Sequence, residues 1–314
     1  MTRDSTMKTM LVAARANADA FADRFREELP DHRIVTEIPE DGSSIAYAVV
    51  GRLLPGLLAS LPGLELVLSL NAGVEHLIAS GEVPAGVPIV RMVDPGLVDG
   101  MVEWVAAQVL AWHRNLFTYR EKQQRTAWEP AGEKLAHERT VTVLGAGALG
   151  GPVATMLATL GFNVRGWSRT PRDLPGIATF AGTNALVKAV TGADVLVSLL
   201  PATAGTTDLI DRALLDRLAR GAFVVNGGRG AAIVDADLIA ALDDGQLSGA
   251  ALDVFRTEPL PADDPYWQRD DVLVSPHVAA PTHVATAVSV MADSVRAWER
   301  GETPAHVVDL DRGY

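Results

Sequence analysis

Short runs of aliphatic and β-branched residues alternate along this chain with longer segments of helical periodicity. In the first third, the runs predict strands at 7–13, 34–38, 46–50, 64–70 and 89–92, and a helix over 18–29 that Pro30 ends. Strands that alternate with helices are typical of α/β units. Residues 1–98 are therefore predicted to form a first α/β unit, although it contains no convincing phosphate-binding loop.

The same alternation returns in the second half of the chain. It predicts strands at 141–144, 163–167, 195–200, 223–226, 249–254 and 272–275, and helices at 152–160, 207–219, 235–243 and 282–300. This order is that of a doubly wound parallel sheet. The predicted fold class is α/β, with two Rossmann-like domains, each built on a doubly wound parallel sheet, and a cleft between them. We expect the last helix to fold back onto the first domain.

A long helical pattern over 98–125 links the two units and is predicted to be an interdomain connection. The segment that follows, 119–135, contains Trp128 and Pro130 and has little periodicity. Two interpretations stay open for it: an arm that packs on a second subunit, or a solvated loop with one anchoring tryptophan.

A glycine-rich turn connects the predicted strand 141–144 to the helix after it. The turn reads GAGALG, with Gly145, Gly147 and Gly150 in the G-x-G-x-x-G pattern and Ala148 and Leu149 between them. The first glycine allows a tight turn, the second lets a pyrophosphate approach the backbone, and the third lets helix and strand pack closely. Glycine-rich turns also close ordinary βα units, but the strand-turn-helix context favours dinucleotide binding.

The end of the next predicted strand bears on the choice of cofactor. An acidic residue there takes the ribose hydroxyls of NAD, whereas this strand ends in Trp167, Ser168, Arg169 and Thr170. A hydroxyl followed by a guanidinium suits a phosphate, because arginine offers a planar fork of donors. The sequence therefore predicts that NADP(H) is preferred and NAD(H) possible; the alternative is that Arg169 is an ordinary surface residue.

Composition narrows the class of protein further. The 314 residues carry a net charge of −12, so no basic excess exists to neutralise nucleic-acid phosphates. Cysteine is absent, which excludes disulfides, thiolate catalysis and Cys-ligated metals and is compatible with a cytoplasmic location. We find no signal peptide, no membrane span and no spacing of histidines and acids that suggests a metal site, and we expect neither a nucleic-acid nor a membrane partner.

Three later stretches each offer one chemically capable residue near a predicted strand end. They read NGGRG with Arg229, DVFRTEPL with Glu258, and SPHVAA with His277. Taken singly, the arginine could form a surface ion pair, the glutamate could be a solvated loop acid and the histidine could be packed and structural. Together they could reduce a 2-keto acid. Arg229 would bind the carboxylate and polarise the carbonyl, His277 would donate the proton, and Glu258 would hold the histidine and favour its protonated form.

These motifs carry a resemblance to a known family. GAGALG, LLPATAGT, NGGRG, ALDVFRTEPLP and SPHVAA, in this order, resemble the D-2-hydroxyacid dehydrogenases, and most of all their bacterial glyoxylate/hydroxypyruvate reductase branch. The segment GLVDGMVEWVAAQVL, the Trp-Ser-Arg after the second strand and the C-terminal Arg-Gly-Tyr support that branch. The resemblance covers nearly the full length. It implies a substrate-binding, flavodoxin-like domain at 1–98 plus 284–314 and a dinucleotide-binding Rossmann domain at 99–283.

The resemblance also implies roles for individual residues. Arg229, Glu258 and His277 match the catalytic set, and Asp253 matches the residue near the nicotinamide carboxamide. Beyond the glycine-rich turn and the Ser-Arg pair, we expect cofactor contacts from Leu200, Pro201, Thr206, Gly227, Gly228, Asp253 and Ala279. A small 2-keto or 2-hydroxy acid is the expected substrate, and a homodimer is the expected assembly.

The loop 70–75 of the first domain is implied to give backbone N–H groups to the substrate carboxylate. Ala72 and Gly73 are small enough to let the backbone approach, as in the family. Asn71 stands where glycine is usual, and Glu75 where aspartate is usual.

Two further residues bear on the identity of the substrate. Gly51 replaces a larger aromatic residue that we expect in this branch, which could enlarge the substrate pocket. Arg52 could add a second positive contact to the substrate, or it could face solvent.

The leading hypothesis is reduction of a glyoxylate- or hydroxypyruvate-like 2-keto acid to the D-2-hydroxy acid. The alternative from another class is a dinucleotide-sensing, corepressor-like binding protein without significant turnover, since relatives of this fold act in that way. A formate dehydrogenase is disfavoured. The resemblance implies a glutamine beside the histidine in that branch, whereas this chain has Glu258 there.

Overall fold

The computed structural model describes residues 7–14, 17–51 and 53–310. The strands are β1 Thr9–Ala13, β2 Arg33–Val35, β3 Ile45–Val50, β4 Leu66–Ser69, β5 Ile89–Val90, β6 Thr140–Leu144, β7 Asn163–Ser168, β8 Ala178–Ala181, β9 Val195–Ser198, β10 Ala222–Asn226, β11 Leu247–Leu252 and β12 Val272–Val274. The helices are α1 Ala18–Glu28, α2 Glu75–Ser80, α3 Pro95–His113, α4 Leu116–Gln124, α5 Gly150–Thr159, α6 Thr183–Val190, α7 Arg212–Leu215, α8 Asp235–Asp243 and α9 Val284–Glu299.

The chain divides into two compact units, and the first comprises Met1–Leu97 and Thr282–Tyr314. Its sheet has the strand order β2-β1-β3-β4-β5, with parallel pairing throughout. This 2-1-3-4-5 order is that of flavodoxin-like folds. The C-terminal helix α9 packs on α1 in this unit, where Arg296 donates to the backbone carbonyl of Glu28 at 2.6 Å.

The second unit, Val98–Pro281, contains a seven-stranded sheet in the order β12-β11-β10-β9-β6-β7-β8. All of its strand pairs are parallel. From β6 the chain first proceeds outward through β7 and β8, then returns to β9 and proceeds outward in the other direction. The order therefore reverses between β6 and β9, which is where doubly wound sheets bind their ligands. The predicted fold class, α/β with doubly wound parallel sheets in two domains, is confirmed.

The predicted single helix over 98–125 is wrong. The chain forms α3 and α4 instead, separated by Arg114 and Asn115. Asn115 has φ +58°, in the left-handed region that asparagine tolerates better than most residues, and its Nδ2 donates to the carbonyl of Gly132 at 3.2 Å. The periodicity of apolar residues continues across this break, which is why the pattern did not reveal it.

The predicted helix over 207–219 is also largely wrong, because only Arg212–Leu215 is α-helical. Before it, the carbonyl of Thr203 accepts hydrogen bonds from the backbone N–H and the hydroxyl of Thr207. The carboxylate of Asp211 then caps α7 through the N–H of Leu214 at 2.9 Å. Side chains that bond to nearby backbone compete with helix, so this segment is a turn followed by a single helical turn.

Three elements were missing from the sequence-based prediction: β8, α2 and α6. The strand β8 is a half-exposed edge strand whose sequence, ATFA, shows no apolar alternation. Most of the predicted strands lie within one or two residues of the observed ones, and α8 matches its predicted bounds. Among the described residues, no helix is long and apolar enough to cross a bilayer.

The break at Asn115 gives a test of the fold. Asn115→Ala places a side chain with a Cβ but no local hydrogen bond at φ +58°, so we expect a loss of about 1 kcal/mol in unfolding free energy. Asn115→Gly removes the strain and should cost less than the alanine variant does. Thermal unfolding of both variants beside the wild type measures the difference. Equal stability of the two variants would show that the left-handed backbone carries no cost here.

Candidate functional site

The glycine-rich turn after β6 is built so that two of its glycines cannot be replaced. Gly145 has φ +91°, and a Cβ on it would lie 2.6 Å from the carbonyl oxygen of Leu199. A Cβ on Gly150 would lie 2.2 Å from the carbonyl oxygen of Gly145. Both distances are far below van der Waals contact. The turn therefore depends on these glycines to bring β6, the segment after β9 and the start of α5 together.

Gly147 differs from the other two glycines. A Cβ on it would meet no atom nearer than the Gly145 carbonyl oxygen at 4.0 Å, so the backbone here borders open space. Ala148 and Leu149 continue the turn to α5, where Gly151 N already donates to the carbonyl oxygen of Gly147 at 2.8 Å and Pro152 has no N–H. An open backbone followed by a helix N-terminus fits the pyrophosphate of a dinucleotide.

The end of β7 lies beside this turn. The carbonyl oxygen of Trp167 accepts hydrogen bonds from Gly145 N at 2.9 Å and Ala146 N at 3.0 Å. The Ser168 hydroxyl donates to the carbonyl oxygen of Thr170 at 2.7 Å and so orders the turn that carries Arg169. The guanidinium-bearing side chain of Arg169 is exposed. A cation is therefore present, and a carboxylate absent, in the four residues that end this strand.

The loop after β9 begins with buried Leu200 and half-buried Pro201. Thr206, which was predicted to contact the cofactor, has a hydroxyl that accepts from Thr203 N at 2.9 Å and donates to the carbonyl of Pro201. In this structure its hydroxyl organises the loop from within.

The loop after β10 carries Arg229 and is fixed by Asn226, which is fully buried. The Asn226 side chain accepts from Gly228 N at 3.2 Å and donates to the carbonyl oxygen of Arg229 at 3.1 Å. Gly227 N donates to the carbonyl oxygen of Ser198 on β9 at 3.1 Å. A Cβ on Gly228 would lie 2.7 Å from Leu200 N, so the two loops are in close contact.

The loop after β10 is packed equally tightly against the loop after β11. A Cβ on Gly230 would lie 2.0 Å from the backbone carbon of Phe255. The N–H of Phe255 in turn donates to Glu258 Oε1 at 2.9 Å. The half-buried Arg229, whose Nη1 donates to the carbonyl of Gly228 at 2.8 Å, therefore lies on a loop that directly contacts the loop of Glu258.

Asp253 is a buried carboxylate, with only 1% of its surface exposed. Its Oδ1 accepts from Ser275 Oγ at 2.6 Å and Val278 N at 2.9 Å, and its Oδ2 accepts from the N–H of buried Ala279 at 2.8 Å. These three donors lie on both sides of His277, whose own N–H donates to the Asp253 carbonyl at 2.9 Å. Asp253 therefore determines the conformation of the loop that bears the histidine.

His277 itself has φ +55°, a backbone conformation that residues other than glycine adopt only when their surroundings hold them there. Its Nδ1 lies 2.7 Å from Glu258 Oε2. Because a carboxylate only accepts, Nδ1 carries the proton of this hydrogen bond and Nε2 lies on the opposite side of the ring. The imidazole is 53% exposed, so Nε2 can meet a ligand.

Parallel pairing brings these groups together. Asn226 is paired with Leu252, and Leu252 with Val274, so the last residues of β10, β11 and β12 are in register. We call the side of the second sheet at which β6, β7, β9, β10, β11 and β12 end the carboxyl edge. The predicted site residues of the second unit all lie on this edge: the glycine-rich turn, Ser168, Arg169, Leu200, Pro201, Thr206, Gly227, Gly228, Arg229, Asp253, Glu258, His277 and Ala279.

In the first unit, the loop 70–75 is anchored on several sides. Ser69 Oγ donates to the carbonyl of Asn71 at 3.0 Å, and Thr282 Oγ1 donates to the carbonyl of Leu70 at 2.7 Å. Ala72 and Gly73 are half-buried.

The unusual Asn71 has a contact of its own in this loop. Its Nδ2 reaches the carbonyl oxygen of Gly51 at 3.4 Å, and His76 Nε2 lies 2.9 Å from the same oxygen. Arg52, the second expected substrate contact, lies outside the described residues.

Two features of the site were not found by reasoning from sequence. Asn226 was not singled out, although a polar residue at the buried end of an apolar strand is itself a signal. Asp253 was assigned to the cofactor through the resemblance, whereas its carboxylate bonds to the loop of His277. Among the described residues, no group of His, Cys, Asp and Glu could hold a metal ion.

The strand order of the second sheet and its glycine-rich turn define a Rossmann-type, dinucleotide-binding fold. Residues 106–279 match the family model of the D-isomer specific 2-hydroxyacid dehydrogenase, NAD binding domain. The chain belongs to this family, as its motifs predicted. It is therefore an enzyme of the NAD(P)-dependent 2-hydroxyacid dehydrogenase class.

Named relatives and solved structures both align with nearly the whole chain. Glyoxylate/hydroxypyruvate reductase A of Serratia proteamaculans is 38% identical over 303 residues, which cover 95% of this chain and 97% of the relative. The D-isomer specific 2-hydroxyacid dehydrogenase of Xanthobacter autotrophicus Py2, in complex with NADPH and MES, has a TM-score of 0.94 and 35% identity over 99% of this chain and 100% of its own. The NADPH-dependent glyoxylate/hydroxypyruvate reductase of Sinorhizobium meliloti, in complex with NADP and sulfate, has a TM-score of 0.92 and 33% identity over 98% and 100%.

Replacing Asp253 tests whether its carboxylate holds the loop that bears His277. Asp253→Asn replaces one acceptor oxygen by an NH₂ group that faces donors, so at least one of the three hydrogen bonds around His277 is lost. We expect faster hydrogen exchange at the amides of Val278 and Ala279. Asp211→Asn, which weakens a single cap on α7, is the matched control and should leave these amides unchanged. Unchanged protection in the Asp253 variant would show that its carboxylate does not hold the loop.

Proposed function

We propose that this protein reduces a small 2-keto acid of the glyoxylate or hydroxypyruvate type to the D-2-hydroxy acid, with NADPH as the preferred cofactor. The observation that carries the proposal is the 2.7 Å hydrogen bond from His277 Nδ1 to Glu258, on a loop in contact with that of Arg229. The names of the relatives from Serratia and Sinorhizobium support the same substrate class.

His277 would supply the proton. Glu258 accepts from Nδ1 and stabilises the protonated ring, so Nε2 is the donor that faces the keto oxygen. When bound, the reduced nicotinamide supplies a hydride to the carbonyl carbon. Nε2 transfers its proton to the developing alkoxide and the ring becomes neutral, which gives the hydroxy acid. General acid catalysis of this kind contributes about a hundred- to ten-thousandfold in rate.

Arg229 would hold the substrate. A guanidinium has five N–H donors, of which Nη1 already donates one to the carbonyl of Gly228, and this contact fixes the direction of the side chain. The planar shape of a guanidinium suits a carboxylate and the neighbouring carbonyl oxygen. The same pair of contacts orients the carbonyl carbon and polarises it. The binding loop 70–75 of the first unit, with Ala72 and Gly73, stays a prediction for the substrate carboxylate.

Arg169 would select NADPH. It follows the end of β7 beside the glycine-rich turn, where the adenosine ribose of a dinucleotide binds in Rossmann domains. Its positive charge suits a 2′-phosphate, and no acidic residue in the four positions at this strand end would repel one.

The domain roles and the assembly belong to the same proposal. We infer that the first unit binds substrate, that the second binds the dinucleotide, and that the protein is a homodimer. Trp128 is 100% exposed in the single chain, so it does not anchor its own loop. That exposure favours the interpretation of 119–135 as an arm that packs on a second subunit.

The decisive experiment incubates the protein with a panel of 2-keto acids and either NADPH or NADH. Turnover is measured as the loss of absorbance of the reduced nicotinamide. We expect turnover with glyoxylate or hydroxypyruvate. His277→Gln cannot donate the proton and should lose at least about a hundredfold in kcat, while the Kd for NADPH changes less than about twofold. His137→Gln, an exposed histidine at the amino end of the sheet, is the control. No turnover across the panel would instead favour a dinucleotide sensor.

Cofactor choice is tested by Arg169→Asp. A carboxylate at this position repels the 2′-phosphate and accepts from ribose hydroxyls, and a charge-assisted hydrogen bond contributes roughly 1.5–3 kcal/mol. The ratio of kcat/KM for NADPH to that for NADH should therefore fall by about tenfold or more. Arg217→Asp makes the same charge change away from the carboxyl edge. An unchanged ratio in the Arg169 variant would contradict this assignment.

A further inference from the structure

The loop after β11 contains Arg256, whose guanidinium binds groups of two other loops. Arg256 Nη2 donates to the carboxylate of Asp208 and to the carbonyl oxygen of Ile233, and it lies 3.5 Å from the carbonyl oxygen of Ala231. Its Nε lies 3.3 Å from Asp235 Oδ2. One side chain therefore connects its own loop to two segments that are distant from it in sequence, one at Asp208 and one at 231–235.

Each connected segment lies next to a residue of the proposed site. Arg256 itself lies two positions before Glu258, and Ala231 lies two positions after Arg229. Asp208 lies two positions after Thr206. The guanidinium thus joins the three loops that follow β9, β10 and β11. In each loop, one point of attachment lies two residues along the chain from a predicted site residue.

Two of these loops also bond directly to each other. Asp208 N donates to the carbonyl of Ala231, and Ile210 N to that of Ala232, both at 2.9 Å. A parallel bridge pairs Ile210 with Ile233. The loop after β11 approaches this pair at Gly230 and Phe255, and the guanidinium of Arg256 adds a second attachment. Backbone contact and guanidinium together hold the Arg229 and Glu258 loops at a fixed spacing.

The surroundings of Asp235 make this attachment firm. The Tyr266 hydroxyl donates to Asp235 Oδ1 at 3.0 Å, while Oδ2 faces Arg256. Burial raises the pKa of Asp235, and both contacts oppose that rise by favouring the carboxylate. The Arg256 side chain is 36% exposed, so its ion pairs should add little to global stability. Its effect is expected in loop geometry instead.

We propose that Arg256 is a positioning residue for keto-acid reduction, which sets the spacing between the Arg229 loop and the Glu258–His277 pair by clamping the loops after β9, β10 and β11. This inference rests on the proposed function. The planar fork of donors matters as well as the charge, because a lysine ammonium cannot match this set of acceptors.

The test compares Arg256→Ala with Arg269→Ala. Arg269 forms a similar set of ion pairs, with Asp271 at 2.8 Å and Asp243 at 2.7 Å, but beside the amino end of β12. With the keto acid that the wild type turns over, Arg256→Ala should lose tenfold or more in kcat, while the Kd for NADPH stays within twofold. Arg269→Ala should keep wild-type kcat. Arg256→Lys should fall between wild type and alanine, and it serves as the test if the alanine variant does not fold.

Hydrogen exchange gives a readout that does not depend on turnover. The amides of Asp208, Ile210 and Val234, which all bond between the clamped loops, should lose protection in Arg256→Ala and keep it in Arg269→Ala. Unchanged exchange together with unchanged kcat in Arg256→Ala overturns the inference, even if His277→Gln is inactive. Absence of turnover in the wild type overturns the proposed function, and the exchange comparison then still decides whether the clamp exists.

Discussion

The parallel pairing of β10, β11 and β12 is the constraint on which the site depends. Because these strands are neighbours in register, the loops that follow them must leave the sheet side by side. Arg229, Glu258 and His277 lie far apart in sequence, yet each follows the end of one of these strands. Parallel pairing of β10 with β9, and of β9 with β6, places the loop after β9 and the glycine-rich turn on this edge as well. The sheet thus brings these three side chains to one edge, and their loops determine how each of them is held there.

Buried polar side chains hold two of these loops. Asn226 fixes the Arg229 loop through hydrogen bonds from its Nδ2 and to its Oδ1. Asp253 fixes the His277 loop through hydrogen bonds to both of its carboxylate oxygens. A histidine at φ +55° costs free energy of order 1–3 kcal/mol, and the three bonds to Asp253 are of the charge-assisted kind that can offset it. Support of this sort holds the imidazole of His277 and the carboxylate of Glu258 at hydrogen-bonding distance.

Sequence reasoning predicted the sheets better than the loops. Buried strands have a strong signal in short apolar runs, and α8 was bounded by Asp235 and Asp243 as predicted. The break at Asn115 was missed because apolar periodicity continues through it, and α7 was overextended because hydroxyl-to-backbone bonds around Thr203 are invisible to a periodicity count. For the site, residue types and strand ends were enough to select Arg229, Glu258 and His277. The clamp by Arg256 depends on long-range contacts that no local pattern contains.

We propose that Glu258 acts on the reaction through His277, and a double-mutant cycle on kcat tests this most directly. Glu258→Gln, His277→Gln and the double variant would be measured with NADPH and the keto acid that the wild type turns over. Residues that act as one unit are strongly non-additive. We predict that the double variant is no slower than His277→Gln, within about threefold. Losses that multiply would show that the two residues act independently, and would contradict the account.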